Sequence, residues 1–183
     1  MTSTALENFE HAIQDAIDLL NHFDAMNKHP PPPEAEVLKR AGLVMALAAL
    51  ETYVEDRIME VAGVIAGPND HAGRLAIFYK ASLSNDLKYF HTPSTDRVRA
   101  LFEKYLGIDV TEGWTWNHYD PPRARTELNR IAKKRGDIAH RSLRPKANEP
   151  SAHAITRDEL RKNIRFIRDL VVATDAHLSP FTS

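Results

Sequence analysis

The chain contains no cysteine, which excludes a disulfide framework, thiolate metal sites and cysteine nucleophiles, and fits a reducing compartment. Glycine is scarce: seven residues, none in a phosphate-loop spacing, leave no Walker or dinucleotide-binding fingerprint. No purely apolar run is longer than residues 41–50, half of what a membrane span needs. The opening MTSTALENFE is acidic and lacks the basic start and apolar stretch of a signal peptide, so a cytoplasmic location without membrane association is expected. The nine His show no i, i+4 helical pair beside a carboxylate, and neither a metal nor a cofactor is expected. A net charge of −1 with 43% apolar and 27% charged residues excludes disorder by composition and a polyelectrolyte. What remains, at 183 residues, is one soluble globular domain over residues 1–183 with a single core.

The pattern along this domain is helical. Leu6, Phe9, Ile13, Ile17, Leu20 and Phe23 recur at three and four residues, an apolar helical stripe that the four prolines 30–33 must end, since each removes a backbone donor. Residues 34–66 read as a long helix whose middle, residues 41–50, is apolar on every face and therefore central. Leu75, Phe78, Tyr79, Leu83 and Leu87 mark a helix over residues 74–89, and Pro93-Ser-Thr-Asp96 offers a turn and cap before Val98, Leu101, Phe102 and Tyr105. Residues 107–122 hold aromatics without a period, with room for a short extended piece at 114–119. Pro121-Pro122 opens a basic helix carrying Leu128, Ile131, Ile138 and Ala139. Thr156-Arg-Asp-Glu159 is a capping-box pattern before a last helix with Leu160, Ile164, Ile167, Val171 and Leu178. The fold class is all-α, a bundle of about six helices with a long central one.

Near-neutral totals conceal a charge asymmetry. Residues 121–168 carry 14 Lys and Arg against 5 Asp and Glu, while the rest of the chain carries 10 against 20. Clustered positive charge is the footprint of phosphate recognition, because neutralised phosphates release counterions. A solvated basic face paired with the acidic first helix is the other reading. Within the basic helix lies NRIAKKRGDIAHRS, in which Arg135 and His140 bracket four residues. With nine His and 15 Arg in the chain, about one such pair is expected by chance, so context must supply the signal.

The phrase around Arg135 and His140 resembles the Arg, four to six residues, His motif of the HEPN superfamily of helical RNases and nucleotide-binding proteins. LETYVED at residues 50–56, FHTPSTD at residues 90–96 leading into Val98 and Leu101-Phe102, and Gly107-Ile108 followed by Trp114 and Trp116 are similar to the segment order of the RiboL-PSP-HEPN branch. The resemblance implies an all-α homodimer with the motif helices facing each other across a two-fold axis. It implies metal-independent RNA cleavage, with His140 acting on the ribose 2′-hydroxyl and Arg135 on the phosphate. A toxin, phage-defence or stress setting with an antitoxin protein as partner belongs to the same implication. Two positions depart from the pattern: the residue after the motif Arg, often polar, is Gly136, and no Tyr follows His140 at the position marking members regulated by nucleotidylation.

The residues suit that chemistry. Five residues at 100° each put Arg135 and His140 about 140° apart on a helix, so two chains combine them more easily than one. Helical side chains lean back over the preceding turn, so His140 covers position 136, where Gly leaves space for a substrate atom. Asp137 is placed to orient the imidazole, and Glu51 to buttress Arg135. Lys133, Lys134, Arg141 and Arg144 flank the pair and are expected to hold RNA. Against this stand a structural role, with His140 capping the helix and Arg135 paired to an acid such as Glu51, a silent RNA- or nucleotide-binding dimer, and a protein-interaction bundle. Glu51 and Glu55 share a helix face either as paired carboxylates or as partners of the basic helix. Trp114, Trp116, His118 and Tyr119 either stack bases or plug the end of the bundle.

Overall fold

A computed structural model describes residues 2–26, 32, 35–67, 73–141 and 155–181. The proline run apart from Pro32, the side chains of His140 and Arg141, and the whole of Arg144 lie outside the described residues. Six α-helices lie within them: α1 Thr4–Ala25, α2 Ala35–Ala66, α3 Arg74–Leu87, α4 Thr95–Leu106, α5 Pro121–Arg141 and α6 Arg157–Leu178. No strand occurs among the described residues; the aromatic connector contains one β-bridge, Trp116 to Tyr119, closing a tight turn.

Local chemistry sets the boundaries. Ser3 Oγ accepts from the Leu6 N–H at 3.0 Å to start α1. Asp120 caps α5 by accepting from the Arg123 N–H at 2.9 Å, with Pro121 and Pro122 in the first turn, where helices lack partners for their N–H groups anyway. Thr156 does the same for α6 through the Glu159 N–H at 3.1 Å, as its capping-box pattern predicts. Helix α4 is different: Ser94 makes no side-chain cap. Instead the Thr95 N–H donates to Asn129 Oδ1 at 3.0 Å and the Thr95 hydroxyl donates to the Arg125 carbonyl at 2.9 Å, both on α5.

The long helix α2 spans 32 residues, about 48 Å at 1.5 Å per residue, and packs against α1, α3, α4, α5 and α6. Its apolar middle is the centre of the core: Leu43, Ala46, Leu47 and Leu50 are buried. Phe9, Ile13 and Leu20 of α1 and Leu160, Ile164, Ile167, Val171 and Leu178 of α6 close over it. Helix α3 departs from expectation. Only Leu83 and Leu87 of its stripe are buried, whereas Leu75 and Phe78 stand exposed, because only the C-terminal half of the helix reaches the α2–α4 surface.

The pairing of the basic stretch with the acidic first helix holds for α6 and not for α5 among the described residues. The acids of α1 pair with α6: Asp24 with Arg157 and Arg161, Glu10 with Arg168. Helix α5 satisfies its own arginines nearby, Arg125 with Asp109 and Glu112, and Arg130 with Glu127 and Glu159. Trp114 is fully buried with its indole N–H donating to Thr174 at 2.9 Å. Trp116 stacks on Tyr119 and both rest on Phe166. The aromatic connector therefore plugs the bundle.

Candidate functional site

Three elements converge on Arg135. On α5 it stands four residues after the buried Ile131 and three before the buried Ile138, so it lies at the edge of the core and is half-buried. Arg135 Nη1 donates to Thr92 Oγ1 at 3.3 Å. Thr92, in the connector between α3 and α4, donates its own N–H to Glu51 Oε2 of α2 at 3.0 Å. The other oxygen of that carboxylate, Oε1, lies 3.8 Å from His91 Nδ1. Glu51 thus reaches Arg135 through Thr92 rather than by a direct ion pair.

The joint of this arrangement is conformationally expensive. Thr92 has φ +69°, a left-handed backbone that a β-branched residue rarely adopts, at a cost of about 1–3 kcal/mol. The surroundings fix it from several sides. Glu51 takes its N–H, the Ser94 N–H donates to its carbonyl at 2.8 Å, and the Arg97 guanidinium donates to the His91 carbonyl. Phe90 and Pro93 on either side are buried, and Thr95 is tied to α5.

A second carboxylate lies one turn along α2. Burial raises the Glu55 carboxyl above its ordinary value, the neighbouring charges of Glu51 and Asp56 raise it further, and His91 lowers it. Among the described residues neither Glu51 nor Glu55 forms an ion pair with α5, and each feels the other's charge along one face of α2.

The other sequence-derived positions distribute as follows. Asp137 is half-buried on α5 one turn before His140, and Lys133 is exposed. Lys134 turns the other way, 3.5 Å from Glu159, a carboxylate it shares with Arg130 at 3.1 Å. Among the described residues, a Cβ built on Gly136 would meet nothing within 4 Å, so none of them fills the space beside Arg135. His140 and Arg141 continue the helix backbone. Among the described residues Arg135 has no carboxylate at ion-pair distance, and no three His, Asp or Glu side chains gather as metal ligands.

His91 and Thr92 escape sequence reasoning as site residues. The FHTPSTD stretch marks a turn, but nothing in it says that the turn folds back onto Glu51, 41 positions away, and Arg135, 43 positions away. Residues 7–180 match the family model for RiboL-PSP-HEPN. No curated protein and no solved structure matches the chain.

Proposed function

The chain belongs to the RiboL-PSP-HEPN family, and from that membership we propose that it is a metal-independent endoribonuclease acting as a homodimer in a toxin or phage-defence setting. An RNase or nucleotide-binding role is what the superfamily supports at its coarsest. The observation that favours an RNA substrate is the state of Arg135: half-buried, held by a neutral hydroxyl, without a carboxylate partner among the described residues, and beside space over Gly136 that none of them fills. A phosphodiester supplies the missing countercharge, and a planar guanidinium bridges two of its oxygens.

In this reading His140 takes the proton of the ribose 2′-hydroxyl as the 2′-oxygen attacks phosphorus. The bond to the 5′-oxygen breaks, and a 2′,3′-cyclic phosphate and a 5′-hydroxyl result. Arg135 stabilises the charge that develops on the phosphoryl oxygens. Because the two side chains leave the helix about 140° apart, one chain does not aim both at one phosphate; two α5 helices that face each other line one cleft with two Arg and two His, and a phosphate on the two-fold axis lies near both guanidinium groups. An antitoxin that covers this face is the corresponding protein partner.

Wild-type protein is expected to cut a mixed RNA in EDTA, while Arg135→Ala and His140→Ala do not, each retaining the wild-type thermal midpoint. Mixing the two dead variants restores cutting if each centre needs one Arg and one His, and leaves it absent if the cleft needs all four groups. Equal RNA binding with no cutting by wild type and variants alike identifies a silent RNA- or nucleotide-binding dimer instead.

A further inference from the structure

Four described residues have positive φ: Gly67 at +72°, Gly107 at +69°, Asn117 at +34° and Thr92 at +69°. Glycine and asparagine tolerate such a backbone, whereas a β-branched side chain resists it. A residue held in a conformation unfavourable to it argues for a role that the favoured residues do not fill. What Thr92 has and glycine lacks is a hydroxyl, and that hydroxyl lies on the motif arginine, with Arg135 Nη1 donating to Oγ1 at 3.3 Å.

Both backbone polar groups of Thr92 are taken. Its N–H donates to Glu51 Oε2 at 3.0 Å, and its carbonyl accepts from the Ser94 N–H at 2.8 Å. The hydroxyl is only half used. It has one proton to donate and two lone pairs; Arg135 occupies a lone pair, and among the described residues nothing accepts the proton. Thr92 is half-buried, so this donor stays within reach of a ligand bound to the same guanidinium.

We infer that Thr92 is a second phosphate-binding residue of the site: its hydroxyl donates to a non-bridging oxygen of the phosphodiester that Arg135 binds, while its lone pair holds the guanidinium in place. This rests on the part of the ribonuclease reading that seats a phosphate on Arg135. A hydroxyl does both tasks without charge. A carboxylate in its place would offset the positive charge of Arg135 and repel the phosphate. The carboxylate of Glu51 instead engages the Thr92 backbone N–H, which anchors the residue and leaves the hydroxyl between the two charges. The connector is also fixed before any ligand arrives, with Phe90 and Pro93 buried and Thr95 tied to Asn129 and the Arg125 carbonyl. Binding therefore orders little that is not already ordered. A phosphodiester has two non-bridging oxygens, and a two-fold cleft offers one Arg135 and Thr92 pair to each.

The test uses the full chain and a short single-stranded RNA with methoxy groups in place of its 2′-hydroxyls, so that it binds without being cut. Thr92→Val keeps the β-branched shape, and with it the backbone strain, and removes only the hydroxyl. Affinity read by fluorescence anisotropy should fall about 10- to 100-fold at an unchanged thermal midpoint, and Thr92→Ser should bind as wild type does. In an Arg135→Ala background the same Thr92→Val change should have a much smaller effect, because hydroxyl and guanidinium act on one phosphate. Thr92→Gly, which relaxes the backbone, decides the matter if the valine variant folds poorly: it should lose affinity to the same degree at a midpoint no lower than that of wild type. Wild-type affinity in the hydroxyl-less variants overturns the inference, and so does an equal loss with and without Arg135. A protein that binds this RNA in the expected pattern but cuts none of its 2′-hydroxyl counterpart defeats the ribonuclease reading while upholding the role of Thr92. A protein that binds no RNA overturns both.

Discussion

Arg57 carries a full charge at 2% exposure in the middle of α2. Its Nε lies 2.9 Å from Asp175 Oδ1 on α6, and its Nη1 lies 3.1 Å from Glu60 Oε2. Ser3 donates to Asp175, and the Ala5 N–H donates to Glu60 at 2.8 Å, so the cluster ties the start of α1 to the end of α6. Burial, and then the Asp175 charge, push the Tyr53 hydroxyl beside it far above its ordinary value. Removing the guanidinium leaves two carboxylates without their countercharge, so Arg57→Ala should destabilise the fold by about 3–5 kcal/mol, read from urea denaturation. Two acids with opposite shifts give a pH signature. Burial raises Asp109, but hydrogen bonds from the Thr111 hydroxyl and N–H, with Arg99 and Arg125, outweigh it and hold the carboxyl below its usual range. Its stabilisation is present above the unfolded value, about pH 4, and is lost as pH falls through the lower folded value. Glu55 is raised, so its effect has the other sign: stability declines as pH rises through the folded value. Denaturation midpoints measured from about pH 3 to 7 should therefore fall less steeply into acid for Asp109→Asn, and Glu55→Gln should be more stable than wild type at neutral pH.

At the scale of elements, α5 carries a residue that lowers its own helical stability. Gly136 lies well inside Pro121–Arg141, where glycine forgoes about 0.5–1 kcal/mol relative to alanine. Since a Cβ there meets nothing within 4 Å among the described residues, Gly136→Ala should raise the thermal midpoint and, on the proposed ribonuclease reading, slow RNA cleavage, because the methyl group would take space beside Arg135. Calorimetry and a cleavage assay on one preparation check both halves. Gly113→Ala should only destabilise, since its Cβ would come within 2.3 Å of the His177 ring. The helices themselves were legible from the sequence, because each stripe recurs at helical spacing over several turns and Thr156 and Pro121-Pro122 announce their helices locally. The exposed half of α3 was not: periodicity says which residues share a face, but not whether a neighbour is long enough to cover it. The site divides the same way. Arg135, Asp137 and Lys133 lie on one helix and follow from its phrase. The Glu51–Thr92–Arg135 chain, with His91 at its end, depends on a left-handed residue and on contacts across more than 40 positions, which no local pattern encodes.

Across the whole molecule, the charge asymmetry of the sequence is neutralised in part by ion pairs among the described residues. Arg125, Arg130 and Lys134 of α5 and Arg157, Arg161 and Arg168 of α6 all have carboxylate partners, so the excess of basic residues overstates what is free to meet RNA. Lys133 is exposed and Lys134 is engaged with Glu159. Lys133→Ala should weaken RNA binding about equally for all sequences and lower the slope of log affinity against log salt by about one, with Lys134→Ala having the smaller effect; anisotropy titrations at several salt concentrations distinguish them. The cap that α4 takes from α5 extends this coupling between helices to dynamics. Thr95 is fastened to Asn129 and to the Arg125 carbonyl, so its amide exchanges deuterium only when α4 and α5 part. That single proton is a built-in reporter: a ligand that clamps α5 should lengthen its exchange lifetime, although the ligand touches neither Thr95 nor any other residue of α4.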